Sequence, residues 1–352
     1  MPLVSLRQLL DHAAEHRYGI PAFSVGNLEQ VKAVMTAAGE TESPVVLQCS
    51  AGARKYAGEA FLRHLILAAI EAHPRLPVAV HQDHGSSPAA CVQAIRSGFS
   101  SVMIEGALLE DGKTLADYED NVEITRRVVE TAHAVGVSVE SGLGVPGSLE
   151  TPSAGRGGGR GAEGPPTRER LLTDPAQAAD FVSRTHVDAL AIGTSYGWSA
   201  AGCPPGGTRL AIACIREVHE RIPTTHLVLH GASSPPQKSL EVIREFGGEV
   251  PEPSGLSLEE IREAIRNGVR KVNVDADLQL VMTAALRRAL SLRKDELDPR
   301  RFLKEAQLAA KALCRERCET FGCAGMASRI RAVPLEDMAA RYAEGAFAPV
   351  VR

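Results

Sequence analysis

Two apolar runs of the chain end in histidine, and one of them ends in an acid as well. The first, Val78–Gly85 (VAVHQDHG), places Asp83 beside His84 after a strand-like alternation. The second, Thr225–Ser234, has His230 as the last strand-like residue and continues with small residues. Parallel α/β sheets keep their chemistry at the carboxyl ends of strands, so these two endings predict one shared site. Each ending alone is also compatible with a capping or hydrogen-bonded histidine.

Eight short apolar runs predict strands, and helical patterns with apolar residues three and four apart lie between most of them. This alternation predicts an α/β fold, namely a (β/α)8 TIM barrel. An open doubly wound sheet is the alternative, but such a sheet collects polar residues at one switch point, whereas here they follow nearly every strand. The strands are predicted at Pro21 to Val25, Pro44 to Cys49, Pro77 to Gln82, Ser100 to Ile104, Val135 to Glu140, Val187 to Ile192, Thr225 to His230 and Val269 to Val274.

Helical patterns continue beyond the eighth strand. Those from Leu278 to Leu292 and from Arg301 to Arg317 predict a C-terminal helical extension of about 277–352. We expect this extension to close the rim of the barrel or to contact another subunit. The whole chain, 1–352, is expected to be a single TIM-barrel domain.

Residues at the other strand ends indicate what the site binds. Glu105 and Glu140 add carboxylates to the imidazoles, and such donors suit a divalent metal ion of the zinc type. Small residues after the last three predicted strands leave backbone N–H groups open for a phosphate. A phosphorylated, carbonyl-bearing substrate and a metal Lewis acid are therefore expected.

Composition narrows the class of protein. The formal net charge of −4 and the pI near 6.3 exclude a general attraction to nucleic acid or to an anionic membrane. No apolar run reaches about 18 residues and the first residues do not form a signal peptide, so we expect a cytoplasmic protein that acts on small molecules. The seven scattered cysteines fit reduced thiols.

The segment of about 141–168 is predicted to be a mobile loop over the site. Its part from Leu149 to Arg168 contains the run GRGGGRG, which cannot hold regular structure. A Gly/Arg run can also bind RNA, but RNA-binding runs of this kind are usually longer, repetitive tails.

Five stretches carry motifs in the same order as a known family: Leu6–Ala14, Ser50–Gly58, His81–Gly85, Leu171–Pro175 and Gly268–Asp275. They resemble the class II, metal-dependent fructose-bisphosphate aldolases, particularly the form found with Calvin-cycle enzymes. The resemblance covers nearly the whole chain. It implies a lyase of glycolysis and the Calvin cycle that reversibly cleaves fructose 1,6-bisphosphate to dihydroxyacetone phosphate and glyceraldehyde 3-phosphate. It also implies a catalytic Zn²⁺, with a second divalent ion as an option, and a homo-oligomer, either a dimer or a tetramer.

The resemblance also implies roles for individual residues. Asp83 exchanges a proton with the C4 hydroxyl, His84 and His230 bind zinc, and Glu105 matches a position associated with a second metal ion. Ser50 contacts the aldehyde half of the substrate. The full set of substrate-binding positions carried over is Ser50, Gly197, Gly231, Ala232, Ser233, Asn273, Val274, Asp275 and Ala276.

The chain departs from the family pattern at several of these positions. Tyr196 stands where the family has a third histidine ligand, and a neutral phenol is a poor zinc ligand. Gly142 stands where the family has a carboxylate that approaches the metal. Ala276 replaces a phosphate-binding threonine, and Ser24 replaces an asparagine.

Three accounts of these departures remain open. The first is an active aldolase whose metal site is rebuilt with Glu140, which shares a strand face with position 142. The second is a paralogue that binds sugar phosphates without turnover. The third is an error in the sequence, because the departures cluster in 141–168 and 196–207. The retained Asp83, His84 and His230 favour aldolase activity.

A Schiff-base aldolase is a further alternative, because such enzymes also use barrels with a strand lysine. Lys271 lies on the last predicted strand with the same parity as Asn273, so it can point inward. The favoured interpretation of Lys271 is a helix-facing or ion-paired residue.

Overall fold

Eight parallel strands close into a barrel. The structure, a computed structural model, describes residues 3–106, 117–143, 172–196, 209–250 and 255–352, with only the backbone at 195 and 196. The strands within these ranges are β1 (Ile20–Ser24), β2 (Val45–Cys49), β3 (Val78–Gly85), β4 (Ser101–Ile104), β5 (Ser138–Leu143), β6 (Ala189–Ile192), β7 (Ser195–Tyr196), β8 (Arg209–Leu210), β9 (His226–Leu229) and β10 (Val269–Val274). β7 and β8 form a separate antiparallel pair, and the barrel order is β1-β10-β9-β6-β5-β4-β3-β2.

Helices follow most of the barrel strands and cover the outside of the barrel. Within the described ranges they are α1 (Leu6–Glu15), α2 (Leu28–Glu40), α3 (Ala51–Ala57), α4 (Glu59–Ala72), α5 (Pro88–Arg96), α6 (Tyr118–His133), α7 (Pro175–Thr185), α8 (Ile212–Arg221), α9 (Gln237–Glu245), α10 (Leu258–Arg266), α11 (Ala276–Leu292), α12 (Pro299–Phe321) and α13 (Leu335–Ala343). The predicted TIM barrel is therefore confirmed. The division into domains is not tested, and a single domain stays a prediction.

Local signals explain where several helices begin. Asp174 accepts hydrogen bonds from the N–H groups of Ala176 and Gln177 at 2.8 Å each, and Pro175 fits the first helical position of α7. Ser257 and Glu260 form a reciprocal capping box at α10.

The strands are apolar because both of their faces are buried: one packs against the helices, and the other faces the interior of the barrel. Val46 and Val139, for example, are completely buried. Three polar side chains, His81 on β3, Glu140 on β5 and Lys271 on β10, are equally buried and contact each other. Since these strands are not neighbours, the contacts cross the interior of the barrel.

The fifth barrel strand differs from its prediction. It was expected at Val135 to Glu140 but runs over Ser138–Leu143. Gly136 has a φ of 75°, so the apolar residues around it form a turn after α6 and Val135 is exposed. Glu140 consequently lies within β5, and is not its last residue.

The C-terminal extension packs against the protein's own barrel. α12 lies against α2, α10, α11 and β1, and α13 lies against α6. The chain end returns to the barrel, where the Val350 N–H donates to Thr224 Oγ1 at 2.7 Å. The predicted loop of about 141–168 lies outside the described residues apart from 141–143. Within the part of the chain that is described, no helix has the length and apolar character needed to cross a bilayer.

Candidate active site

Three predicted site residues converge at the carboxyl end of the barrel. Asp83 and His84 lie in the last part of β3, and His230 directly follows β9. One ligating atom from each residue lies within 4.8 Å of the other two. The two imidazole rings meet edge to face, with centroids 5.1 Å apart. The two strand endings therefore do meet, as expected.

The backbone of β3 is irregular at this point. Its pairing with β4 shifts register between Gln82 and Gly85, and His84 has a φ of 49° in the left-handed region. An added Cβ at Gly85 would come within 2.6 Å of the Met103 carbonyl oxygen, so only glycine fits. Successive residues of a regular strand point to opposite faces. The irregularity lets the consecutive residues Asp83 and His84 contribute to one site.

Glu105 orients the imidazole of His84. Its Oε2 atom lies 2.8 Å from His84 Nδ1, while His84 Nε2 lies 3.7 Å from Asp83 Oδ2. Burial alone would lower the pKa of His84, but the carboxylates of Asp83 and Glu105 raise that pKa to about 9. A proton on Nδ1 held by a carboxylate leaves Nε2 directed to the cluster, which is the arrangement of many metal-binding histidines.

The Asp83 carboxylate has only one of its oxygens engaged. Gln48 Nε2 donates to Asp83 Oδ2 at 3.3 Å, and Oδ1 is buried without a hydrogen-bond partner in the described part of the chain. Burial would raise the pKa of Asp83, but the neighbouring positive groups, with His84 the largest contributor, lower it. Asp83 is therefore an ionised, incompletely solvated carboxylate at neutral pH.

Gln48 is a site residue that sequence reasoning missed. It is completely buried on β2 and donates from Nε2 both to Asp83 and to Ser24 Oγ, the latter at 3.1 Å. A polar residue inside the otherwise apolar run of β2 was the signal that could have identified it.

A second buried network fixes His230 from the opposite side. Glu140 Oε1 lies 2.7 Å from His230 Nε2, and Glu140 Oε2 lies 3.0 Å from Lys271 Nζ. Lys271 donates to Asn273 Oδ1 at 2.6 Å, and Asn273 Nδ2 approaches the His230 ring at 3.4–3.5 Å. Burial would raise the pKa of Glu140, but Lys271 and the His230 hydrogen bond lower it.

This network bears on two of the earlier expectations. The oxygens of Glu140 contact His230 and Lys271, and Glu140 is not part of the three-residue donor group. Asp83 is the third member of the donor group, and the rebuilding of the site with Glu140, one of the three open accounts, stays a prediction. Lys271 points inward and is ion-paired, which agrees with the favoured interpretation of that residue.

The predicted phosphate-binding loop follows β9. Gly231 has a φ of 63° and open space around it, and Ala232 is buried. The Ser233 hydroxyl donates to Asp277 Oδ1 at 2.6 Å, and phosphate binding by this loop stays a prediction. Ser50 caps α3 and accepts from Ala53 N–H at 3.1 Å.

The remaining substrate positions lie at the end of β10. Asn273 and Val274 are the last two strand residues, Asp275 accepts from Gln279 Nε2 at 2.8 Å, and Ala276 begins α11. Asn273 adjoins the donor group through the approach of its Nδ2 to His230 Nε2 at 3.4 Å.

The structure describes the positions of the family departures only in part. The backbone of Tyr196 pairs with Arg209, while its side chain and all of Gly197 lie outside the described residues. At Gly142 an added Cβ would find its nearest atoms at 3.8 Å and 4.0 Å, which is ordinary contact. A Cβ atom therefore fits at position 142 without backbone rearrangement.

Comparison with known proteins identifies the family. The sequence profile described as "Fructose-bisphosphate aldolase class-II" matches residues 4–326. The chain belongs to this family. Over the full length of both chains it is 59% identical to a protein named fructose-bisphosphate aldolase from Xanthobacter flavus. It is 58% identical to the plasmid-encoded fructose-bisphosphate aldolase of Cupriavidus necator, with 97% of this chain and 100% of the relative covered.

Solved structures of aldolases have the same fold. The YdjI aldolase from Escherichia coli K12 superposes with a TM-score of 0.69 at 25% identity, covering 92% of this chain and 99% of that one. The chain is therefore an aldolase, and hence a lyase, on a TIM barrel. Aldolase activity is favoured over a paralogue that only binds sugar phosphates. Class II aldolases are generally zinc-dependent, and Asp83, His84 and His230 form a group that can hold a metal ion.

Proposed function

We propose that the protein reversibly cleaves fructose 1,6-bisphosphate to dihydroxyacetone phosphate and glyceraldehyde 3-phosphate at the carboxyl end of its barrel. The observation that carries the proposal is the convergence of Asp83, His84 and His230 on one point. A relative that matches the chain over its full length is named fructose-bisphosphate aldolase, which supports this proposal.

The donor atoms at this point fit one zinc ion. His84 and His230 supply two imidazole ligands and leave further positions open, while Asp83 beside them stays available for the proton. Each histidine also contacts a carboxylate through one ring nitrogen, His84 with Glu105 and His230 with Glu140. Metal-binding histidines usually have such a hydrogen-bonded carboxylate, which fixes the orientation of the ring. The surplus of negative charge that raises the pKa of His84 also favours a cation. A zinc ion held by these residues would supply a Lewis acid for the carbonyl of the substrate.

Asp83 is proposed as the residue that exchanges a proton with the C4 hydroxyl. In cleavage its carboxylate takes the hydroxyl proton, the O–H electron pair becomes the aldehyde carbonyl bond, and the C3–C4 electron pair stays with the ketone half, which takes up a proton at C3 from solvent before release. The unpartnered Oδ1 and the lowered pKa supply a base that is ionised and available. Condensation returns the proton along the same path.

The substrate positions are proposed from their place around this group. Residues 231–233 hold the ketone-side phosphate through backbone N–H groups, with Gly231 leaving room for it. Asn273 and Asp275 orient the triose beside His230, and Val274 and Ala276 complete that edge. Ser50 contacts the aldehyde half, and Gly197 stays a prediction outside the described residues.

Four further proposals concern the protein as a whole. A second divalent ion near Glu105 stays a proposal, although the contact with His84 supports an orienting role for that residue. We also propose a single domain, a homo-oligomer of two or four copies, and a cytoplasmic location.

A cleavage assay with chelation tests the proposed function. The purified enzyme should release both triose phosphates from fructose 1,6-bisphosphate, lose this activity after dialysis against a chelator, and regain it with Zn²⁺. Borohydride with dihydroxyacetone phosphate should leave no covalent adduct on Lys271, which is ion-paired to Glu140. Chelator-resistant cleavage with a trapped lysine adduct would contradict the proposal and support Schiff-base chemistry.

A further inference from the structure

Arg317 is a completely enclosed cation in the C-terminal extension. It lies on α12, its side chain is 2% exposed, and no feature of the sequence assigned it a role. A guanidinium stays charged at every ordinary pH, so its burial requires partners that offset the loss of water. Those partners lie beside the predicted phosphate-binding loop.

One nitrogen of Arg317 connects α12 to that loop. Nη2 donates to the Ser234 carbonyl oxygen at 2.8 Å and to Asp277 Oδ2 at 3.0 Å. Asp277, which is also 2% exposed, lies in the first turn of α11 directly after the triose-binding edge. The other terminal nitrogen, Nη1, donates to Glu316.

Asp277 in turn holds the loop by two groups. It accepts the Ser233 hydroxyl at 2.6 Å and the Ser234 N–H at 3.0 Å. The Ser233 carbonyl accepts from Leu256 N–H at 2.8 Å. Among the described residues, Asp277, Arg317 and Leu256 hold polar groups of Ser233 and Ser234. These contacts fix the chain at and directly after the end of the loop 231–233.

The ion pair of Arg317 with Asp277 also balances the negative charge next to the loop. A carboxylate at 2.6 Å from Ser233 Oγ lies close to the proposed position of a phosphate dianion, and the two would repel each other. Arg317 cancels this charge on the protein side of the loop. Without Arg317, a loop occupied by phosphate would face a buried carboxylate with no cation to offset it.

We propose that Arg317 is a positioning residue that connects the C-terminal extension to phosphate binding, by holding Ser234 and neutralising Asp277. The inference rests on the proposed function, in which residues 231–233 hold the ketone-side phosphate. It assigns α12 a role in substrate affinity besides packing.

The test compares zinc-loaded enzyme with Arg317→Met, which keeps the length of the side chain and removes its charge. We expect the KM for fructose 1,6-bisphosphate and the inhibition constant of inorganic phosphate, a competitor for the loop, each to rise by about tenfold or more. We expect a smaller change in kcat and an unchanged zinc content, because Asp83, His84 and His230 do not contact Arg317.

Two further variants keep the test informative if Arg317→Met is unstable. Arg317→Lys retains the charge and should recover part of the phosphate affinity. Arg317→Met with Asp277→Asn removes both charges, so stability and part of the phosphate affinity should recover, while KM stays above the wild-type value because the Ser234 carbonyl is still released. Arg315→Met, on the exposed side of the same helix, is the matched control and should leave both constants unchanged.

The outcomes separate the inference from the proposed function. An active enzyme whose Arg317→Met variant keeps the wild-type KM and phosphate inhibition constant overturns the inference alone. A KM that returns fully to the wild-type value in the double variant would show that the hydrogen bond to Ser234 adds nothing to phosphate binding, which also overturns the inference. A wild-type enzyme that does not cleave the bisphosphate overturns the proposed function and the inference together.

Discussion

The two ends of the barrel contain the same kinds of side chain in different states of hydrogen bonding. At the amino end, Asp188 accepts from Val139 N–H and Tyr342 Oη, and it contacts His133 Nε2, each at 2.8 Å. Arg7 completes this cluster at 3.6 Å. At the carboxyl end, Asp83 has one hydrogen bond, at 3.3 Å, and one oxygen without a hydrogen-bond partner among the described residues.

The chain's own ends explain this difference. α1 and the C-terminal segment cover the amino end, where Tyr342 stacks on His133 with ring centroids 3.7 Å apart and Arg7 lies over Phe347. In the described residues no equivalent cover satisfies Asp83. An acid and a histidine are thus structural where the fold saturates them, and available for chemistry where it does not.

The largest expected effect is on catalysis at the carboxyl end. Asp83→Ala and the isosteric Asp83→Asn should lower kcat by about 10²- to 10⁴-fold, because the group that exchanges the C4 proton is lost. The melting temperature should stay unchanged and the zinc held by His84 and His230 should remain. Steady-state kinetics with metal analysis check this, and a variant with more than half of the wild-type turnover would show that the role is wrongly assigned.

The next effect is on stability at the amino end. Asp188→Asn leaves Arg7 and His133 without their buried carboxylate and should lower the free energy of unfolding by about 3–5 kcal/mol, with kcat of the folded enzyme unchanged. Asp180→Asn, which removes an exposed partner of Arg184, is the control and should change the free energy of unfolding by less than about 1 kcal/mol. Urea titrations measure both. Equal losses in the two variants would remove the distinction between the ends.

A smaller gain is expected from restoring the family residues. Gly142→Glu together with Tyr196→His should raise zinc affinity by about tenfold and increase activity, because a third imidazole would join His84 and His230. A Cβ at position 142 meets its nearest atoms in ordinary contact, so the backbone there accepts a residue other than glycine. Competition with a chromogenic chelator measures the affinity, with Gly142→Ala as the control. An unchanged metal affinity in the double variant would contradict the prediction.

The smallest effect concerns pH. Burial would raise the pKa of Asp188, but His133 and Arg7 lower it below its ordinary value. A carboxyl whose pKa is lower in the folded state stabilises the fold at pH values above its unfolded pKa of about 4, and this contribution is lost as the pH falls toward the folded pKa. The difference in unfolding free energy between wild type and Asp188→Asn should therefore shrink below about pH 4. A constant difference would exclude this linkage.

The sequence predicted the barrel well because buried parallel strands read as continuous apolar runs, and β10 has its predicted bounds of Val269–Val274. Local patterns were misleading where a backbone turn sets the bounds of an element. The turn at Gly136, for example, moves the start of β5. Contacts between distant parts of the chain, such as Tyr342 with Asp188, leave no local signal.

The candidate site was predictable to a similar extent. Asp83, His84 and His230 were found from strand endings, since parallel strands end at one edge. The bulge that brings Asp83 and His84 to one side depends on close packing at Gly85, which sequence alone does not show. The contact of Arg317 with Ser234 spans 83 positions and was likewise outside the reach of sequence patterns.

The most direct test of the difference between the two ends is the zinc content of three matched variants. His84→Gln and His230→Gln remove imidazoles from the carboxyl end, and His133→Gln removes one from the amino end. After equilibration with limiting free Zn²⁺, mass spectrometry should find about one zinc per chain in wild type and His133→Gln and far less in the other two. Zinc retained by His84→Gln and His230→Gln, or lost from His133→Gln, would contradict a metal centre at the carboxyl end.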